Sequence, residues 1–498
     1  MRTATLPAAV KPLAQPAPAP SSGPLTAEQK SVRLLRRTLI VLVVLLTFEG
    51  LVRKLEPGVI GVLVFLFKDV VVLFMGLQLA TRHKLPPAVA FLPVAYMAAT
   101  FFMLPNIIVT ATHDPILAIF GTKQYLLYPI VGLSVFIVFR NATIDEIVRF
   151  CRLVAFFMIP TGLVAIIQTR LPASHWLNMS VEGTTLEDFS SAGHLRVSST
   201  FSFVAQFTCF LNMEMFMVFF AFLRFGKIKS SIKKLIYLLP LPLLVISCYL
   251  TGSRGAVVGN TMILVVALVL GFMRGELAKV MRFLAIAAVI AGVALLFQAF
   301  FPDLMRTYSV REQGHVFGVS DEIQDRVYRA MFGWMSDAST VPFFGNGLGI
   351  MSNGSDAFST YARGFRLEEW TETDFATTLF EGGPYLIFVW YAFRYYIIFE
   401  TTRRFLTQTS RELFLFGALL QGYIIVFGFT GTLALQPPVA IWWWLGVGLS
   451  VILSWRSTHP IEEPPPDSPK PPGPGNTPNP VPQMVRGRSS YADRLHRR

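Results

Sequence analysis

The chain has 498 residues, of which 53% are hydrophobic and only 15% charged, with a mean hydropathy of +0.54. A soluble domain carries roughly 25% charged residues, so this composition excludes an ordinary water-soluble fold. The net charge of +13 is gathered in short segments between apolar runs, the pattern of loops on the cytoplasmic side of a membrane rather than of a nucleic-acid surface.

Residues 1–34 are rich in Ala and Pro and have no apolar core, so they are expected to be a disordered cytoplasmic segment and not a secretory signal. A crossing needs about twenty mostly apolar residues. The runs at 38–52, 58–80, 86–104, 116–139, 147–168, 200–223, 235–251, 256–273, 283–301, 374–396, 412–431 and 436–454 predict an all-α integral membrane protein with about twelve transmembrane helices over residues 35–455. Alternating sides from a cytoplasmic start places Arg82, Lys84, Arg140, Arg224, Lys227, Lys229, Lys233, Lys234, Arg274, Lys279, Arg282, Arg403, Arg404 and Arg411 on one face. Both termini then lie inside, the second as a Pro-rich disordered tail over 456–498.

Two outward segments are long, 169–199 and 302–373. The larger is expected to be partly helical, with an apolar stripe of Ile323, Val327, Ala330 and Trp334, and to turn through VPFFGNGLG at 341–349. Cys151, Cys209 and Cys248 lie inside apolar runs, and the seven histidines are scattered, so neither a disulfide framework, a structural metal nor a cofactor is expected.

Charge stands out at four places. In TGSRGA (251–256), Ser253 is placed as an N-cap with Arg254 on the first turn of a helix, where helix N–H groups and a guanidinium suit a phosphate. The competing reading is an arginine reaching for lipid headgroups. Arg196, Arg326, Arg329, Arg363 and Arg366 are further outer-face cations. Arg326 and Arg329 share a helix face, and Glu322 and Asp325 explain them equally well as ion pairs. Lys68 and Asp69 fall in the middle of the second span, where charge is costly and marks either a functional group or a bond to another helix, Glu214 and Lys123 being the available partners. Glu372 and Asp374 open the tenth span, where a base would meet a sugar hydroxyl, although first-turn carboxylates also suit the helix dipole.

With these segments in place the chain resembles the O-antigen ligase and O-antigen polymerase superfamily of bacterial membrane proteins. The resemblance runs over most of 38–455. It rests on TGSRGA after an apolar span, on the large outer loop with PFFGNGLG, on Phe380, Glu381, Gly382 and Gly383 at re-entry, and on FEGLVRKLEPG with FLFKDVVVLF near the start. It implies a glycosyltransferase of the inner membrane in surface polysaccharide biosynthesis. Such an enzyme moves a glycan from an undecaprenyl-diphosphate carrier to a glycan or lipid acceptor, among membrane lipids and beside polysaccharide-export or chain-length proteins. Arg254, Glu372 and Asp374 would be catalytic, with Ser253, Arg196, Arg326, Arg329, Lys68 and Asp69 binding substrate. Ligases of the family carry a His about eleven residues before a Gly of the tenth span. Here the matching positions are Thr371 and Glu372, which points toward a polymerase or a divergent transferase with Glu372 as the nearest replacement. The rival reading is a secondary transporter or lipid-linked oligosaccharide flippase, for which no internal repeat is found. A scaffold in an export complex is the third.

Overall fold

The structure is a computed structural model. It describes residues 26–181, 195–276 and 338–461, apart from 57, 223–224, 353 and 366–372, with isolated positions between 288 and 335. Among the described residues there are helices and no β-strand. They are α1 (Ala27–Leu55), α2 (Val59–Arg82), α3 (Phe91–His113), α4 (Pro115–Leu126), α5 (Pro129–Phe139), α6 (Ile144–Phe156), α7 (Met158–Gln168), α8 (Val204–Phe222), α9 (Ser231–Leu238), α10 (Pro240–Leu250), α11 (Arg254–Met273), α12 (Asp374–Gln408), α13 (Arg411–Thr430) and α14 (Pro437–Thr458).

Eight helical stretches are long and apolar enough to cross a membrane: α2, α3, α6 with α7, α8, α9 with α10, α11, α13 and α14. The pair α4 and α5, bent by 42°, makes a ninth if it is one crossing. Proline at the start of α5 explains the bend, because Pro129 has no N–H to continue the ladder. Helices α1 and α12, of 29 and 35 residues, pack into the same bundle but carry Glu49, Arg53, Lys54 and Arg394 within their apolar stretches. The span expected at 283–301 and the loop at 302–337 lie outside the described residues, save isolated positions, and so do Ile323, Val327, Ala330 and Trp334.

Two expectations at the ends need correction. Helix α1 begins at Ala27, inside the segment assigned as disordered, because Thr26 and Gln29 form a reciprocal capping box. At the other end α14 runs on to Thr458, and Arg456 is buried rather than part of a tail.

The helix directions give the bundle two ends. At one, Arg36 pairs with Glu146 at 3.3 Å, Arg140 pairs with Glu28 and donates to the Lys84 carbonyl at 3.0 Å, and the Ser410 N–H donates to Ser457 at 2.9 Å. This basic end gathers the turns between α2 and α3, α5 and α6, and α12 and α13. The opposite end gathers the close of α1, the 195–202 segment, the α10–α11 turn, residues 338–365 and the α13–α14 turn.

A cationic corner and a broken helix form the candidate functional site

The corner is built outward from the end of α1. Lys54 is buried and donates to the Ser198 hydroxyl at 2.6 Å, the Leu177 carbonyl at 3.2 Å and the Ser199 carbonyl at 3.3 Å. Arg53 donates to the Ser202 hydroxyl at 3.1 Å. The segment VSSTFS is itself locked into the bundle. The Ser199 N–H donates to Gln168 at 2.6 Å, its hydroxyl to the Thr161 carbonyl at 2.6 Å, and the Thr200 hydroxyl to the Thr47 carbonyl at 2.6 Å. These bonds fix the residue just before them, Arg196, against the α10–α11 turn.

That turn needs a left-handed residue, and Gly252 supplies it with φ +56°; a Cβ there would stand 3.3 Å from Cγ of Arg196. Arg254 follows two residues later as the first residue of α11. Ser253 occupies the N-cap position with extended backbone, as the sequence suggests, but its hydroxyl makes no capping bond. Thr26, Asp114, Thr143, Ser230 and Thr373 all cap their helices through the side chain. The Ser253 N–H turns back to the Thr251 hydroxyl at 3.1 Å instead. The structure therefore places Arg196 against the turn that leads into Arg254, with Arg53 and Lys54 holding the segment that follows Arg196. An arginine on the first turn of α11 and a second against the turn before it, with the positive end of the α11 dipole, make a candidate site for an anion.

Asp374 is placed differently from its expected role. Helix α12 is broken at Gly383, whose φ of +67° and ψ of −174° are open to glycine, and a Cβ there would lie 2.3 Å from the Phe343 and Pro342 carbonyls. The chain reverses at the break. Phe375 stacks on Tyr391 at 3.8 Å, although sixteen residues along a straight helix would separate them by about 24 Å. Residues 374–382 thus fold back on the arm that starts at 384. Asp374 and Arg394 form a buried ion pair; Tyr391 donates to the same carboxylate at 3.1 Å, and the Ala434 N–H at 2.9 Å. Arg394 also donates to the Gly431 carbonyl at 3.1 Å. Asp374 is thus committed to protein partners that tie α12 to the α13–α14 turn.

The break also frees backbone groups, and each finds a partner. Pro384 has no N–H for the Phe380 carbonyl; Asn346 N–H supplies one at 3.0 Å, and Gly347 N–H bonds the Glu381 carbonyl at 2.9 Å. The Asn106 amide bridges the Gly382 carbonyl at 2.9 Å and the Phe344 carbonyl at 3.0 Å, and Tyr385 N–H turns to the Phe343 carbonyl at 3.3 Å. The buried Glu381 carboxyl accepts from Tyr125 and from Met351 N–H, each at 2.9 Å. PFFGNGLG is therefore the filling of a broken helix. Farther along, the Ser359 hydroxyl, aided by the Leu117 and Ile116 N–H groups, holds the Asp114 carboxyl below the usual carboxylate range.

Lys68 and Asp69 are both neutralised. Lys68 pairs with Glu49 at 3.1 Å and lies 3.4 Å from the Phe65 ring centroid, while Asp69 pairs with Lys123 at 2.8 Å and accepts from Tyr128 at 2.9 Å. Lys123 is one of the two partners read from the sequence. Glu214 is not the other: it is buried on α8, and its oxygens accept no hydrogen bond among the described residues. Arg363 is exposed and donates to the Asp356 carbonyl at 2.6 Å. Glu372, Arg326, Arg329 and Arg366 lie outside the described residues.

Sequence reasoning missed Arg53, Lys54, Glu49 and Arg394. The GGP triplet at 382–384 signals an interruption of the helix, but nothing local to it names Arg394 as the partner of Asp374. No family model, curated protein or solved structure matches the chain.

Proposed function

We propose that this chain is a membrane glycan transferase of the O-antigen ligase and polymerase type. It moves a sugar polymer or repeat unit from an undecaprenyl-diphosphate carrier to an acceptor hydroxyl on the outer face of the bacterial inner membrane. The observation that carries the reading is the placement of Arg196 against the turn that starts α11, two residues before Arg254. In this reading the bundle crosses twelve times, the basic end and both termini are cytoplasmic, and the cationic corner faces outward.

The chemistry follows from the leaving group. The acceptor oxygen attacks the anomeric carbon, the bond from that carbon to the diphosphate oxygen breaks, and undecaprenyl diphosphate departs with the electron pair. Charge builds on the diphosphate, so fixed cations and a helix start lower the barrier without a proton donor there. The acceptor proton passes to a carboxylate. Asp374 is already bonded to Arg394, Tyr391 and Ala434, so Glu372 takes the base role in this proposal.

Charged residues at mid-membrane, here Lys68 and Asp69, would also suit a transporter or flippase. Their pairing with Glu49 and Lys123 gives that charge a structural account and leaves the corner as the stronger pointer. Deletion in the host with gel analysis of surface glycan separates the readings. Shortened chains mark a polymerase, unattached polymer a ligase, and lipid-linked units held inside a flippase. The last outcome would overturn the proposal.

A further inference from the structure

At the basic end, protein carboxylates answer several of the cations that are described. Arg36 has Glu146 at 3.3 Å, Arg140 has Glu28, Arg403 and Arg404 share Glu400 at 2.7 Å, and Arg411 has Glu276 at 3.4 Å. The corner between α8 and α10 differs. From Phe222 to Leu250 the sequence contains no Asp or Glu, yet it carries Arg224, Lys227, Lys229, Lys233 and Lys234. Lys229 and Lys233 are exposed and Lys234 is half-buried. Arg152 of α6 approaches the same corner, 4.9 Å from the Tyr237 ring centroid.

The apolar neighbours of these lysines are as exposed as the charges. Ile232 is 72% exposed and Leu235 70%, and Ile236, Leu238 and Leu239 are also open. These residues begin the α9–α10 stretch, itself long and apolar enough to cross a membrane. A surface with ammonium groups at the mouth of a span and aliphatic side chains just below has the vertical order of a phospholipid, headgroup over acyl chain. With no carboxylate in the segment, the anion that complements it is a lipid phosphate. Ser230 caps α9 with a 3.4 Å bond from Lys233 N–H, which fixes Lys233 and Lys234 at the helix's positive end.

We propose that the α8–α10 corner is a binding site for an anionic phospholipid, its phosphate held among Lys229, Lys233 and Lys234 and its chains laid along Ile232, Leu235 and Leu239. The site is at the opposite end from the glycan chemistry and does not depend on it. The test uses the purified full chain in neutral detergent, with phosphatidylglycerol or phosphatidylethanolamine titrated in and bound lipid counted by native mass spectrometry. Phosphatidylglycerol should bind, and binding should weaken as salt rises. Each Lys→Gln change should cost about five-fold and K229Q/K233Q/K234Q together roughly a hundred-fold, from about 1 kcal/mol per basic residue near an anionic surface. The triple Lys→Arg variant, which keeps the charge, should bind within a few-fold of wild type. Equal binding of phosphatidylethanolamine, or a K229Q/K233Q/K234Q variant within two-fold of wild type, would overturn the site and leave these lysines as a topology signal only.

Discussion

The break in α12 and the start of α11 are both interruptions of helical backbone, and they are completed in opposite ways. At the break, three carbonyls freed by Gly383 and Pro384 are answered by Asn346, Gly347 and Asn106, and the local acids are bonded too, Asp374 to Arg394 and Glu381 to Tyr125 and the Met351 N–H. At the start of α11 the residue in the capping position leaves its cap unmade, and Arg196 lies against the turn that leads into Arg254. A region completed by the protein serves architecture. A helix start whose capping side chain makes no bond to its N–H groups, beside an arginine, is suited to an anionic ligand. PFFGNGLG is thus built into the architecture, while TGSRGA carries the proposed chemistry.

That division is broken most forcefully at the ion pair. Removing one partner of a buried pair strands the other, at a cost of roughly 3–5 kcal/mol. Arg394→Met should therefore lower thermal stability by that amount, while Arg254→Ala should leave the melting temperature within a degree or two. A stable Arg394→Met protein would erase the contrast. Next in size is transfer itself. Arg254→Ala should reduce turnover by roughly 10²–10³-fold, the usual loss for one donor to a developing anion. Arg254→Lys should recover part of it, because an ammonium lacks the planar two-point fork.

How much of this was legible in the sequence depended on whether the signal was local. The apolar runs, the one-sided basic loops and the TGSRGA turn are written in consecutive residues, and the described helices and their two ends follow them. Lys123 was named as a partner for buried charge because it was a rare basic residue within an apolar run. Glu49 was overlooked for Lys68 because nothing in one chain says that α1 and α2 are neighbours. Arg394 was invisible as Asp374's partner for a sharper reason. Twenty residues of continuous helix would place them about 30 Å apart, and only the reversal at Gly383 brings them together. Arg196 was named from the sequence as an outer-face cation, but its place against the α10–α11 turn depends on Lys54 and Gln168 anchoring VSSTFS, contacts that join α1 and α7 to that segment.

Smaller changes sharpen the comparison. Asn106→Ala leaves two buried carbonyls short of a donor and should cost about 1–3 kcal/mol in stability, with the affinity of the corner for an anion unchanged. The smallest effect is expected at Asp114. Its carboxyl is held below its ordinary range in the folded chain, so its contribution is fully present above the unfolded value of about 3.9 and is lost as pH falls through the lower folded value. Asp114→Asn should remove this contribution at neutral pH and flatten the acid limb of stability. Melting curves from pH 7 down to pH 3 check it, and an acid limb identical to wild type would remove Asp114 from the account.

The central claim, that the start of α11 with Arg196 and Arg254 is a diphosphate site, is tested most directly by equilibrium binding. The measurement is titration of the purified chain with undecaprenyl diphosphate, and with undecaprenol as the uncharged control. Wild type should bind the diphosphate far more tightly than the alcohol. Arg254→Ala and Arg196→Ala should each lose most of that preference while binding the alcohol unchanged, and Asn106→Ala should keep it. Equal affinity for the two ligands, or a preference untouched by either arginine change, would contradict the account.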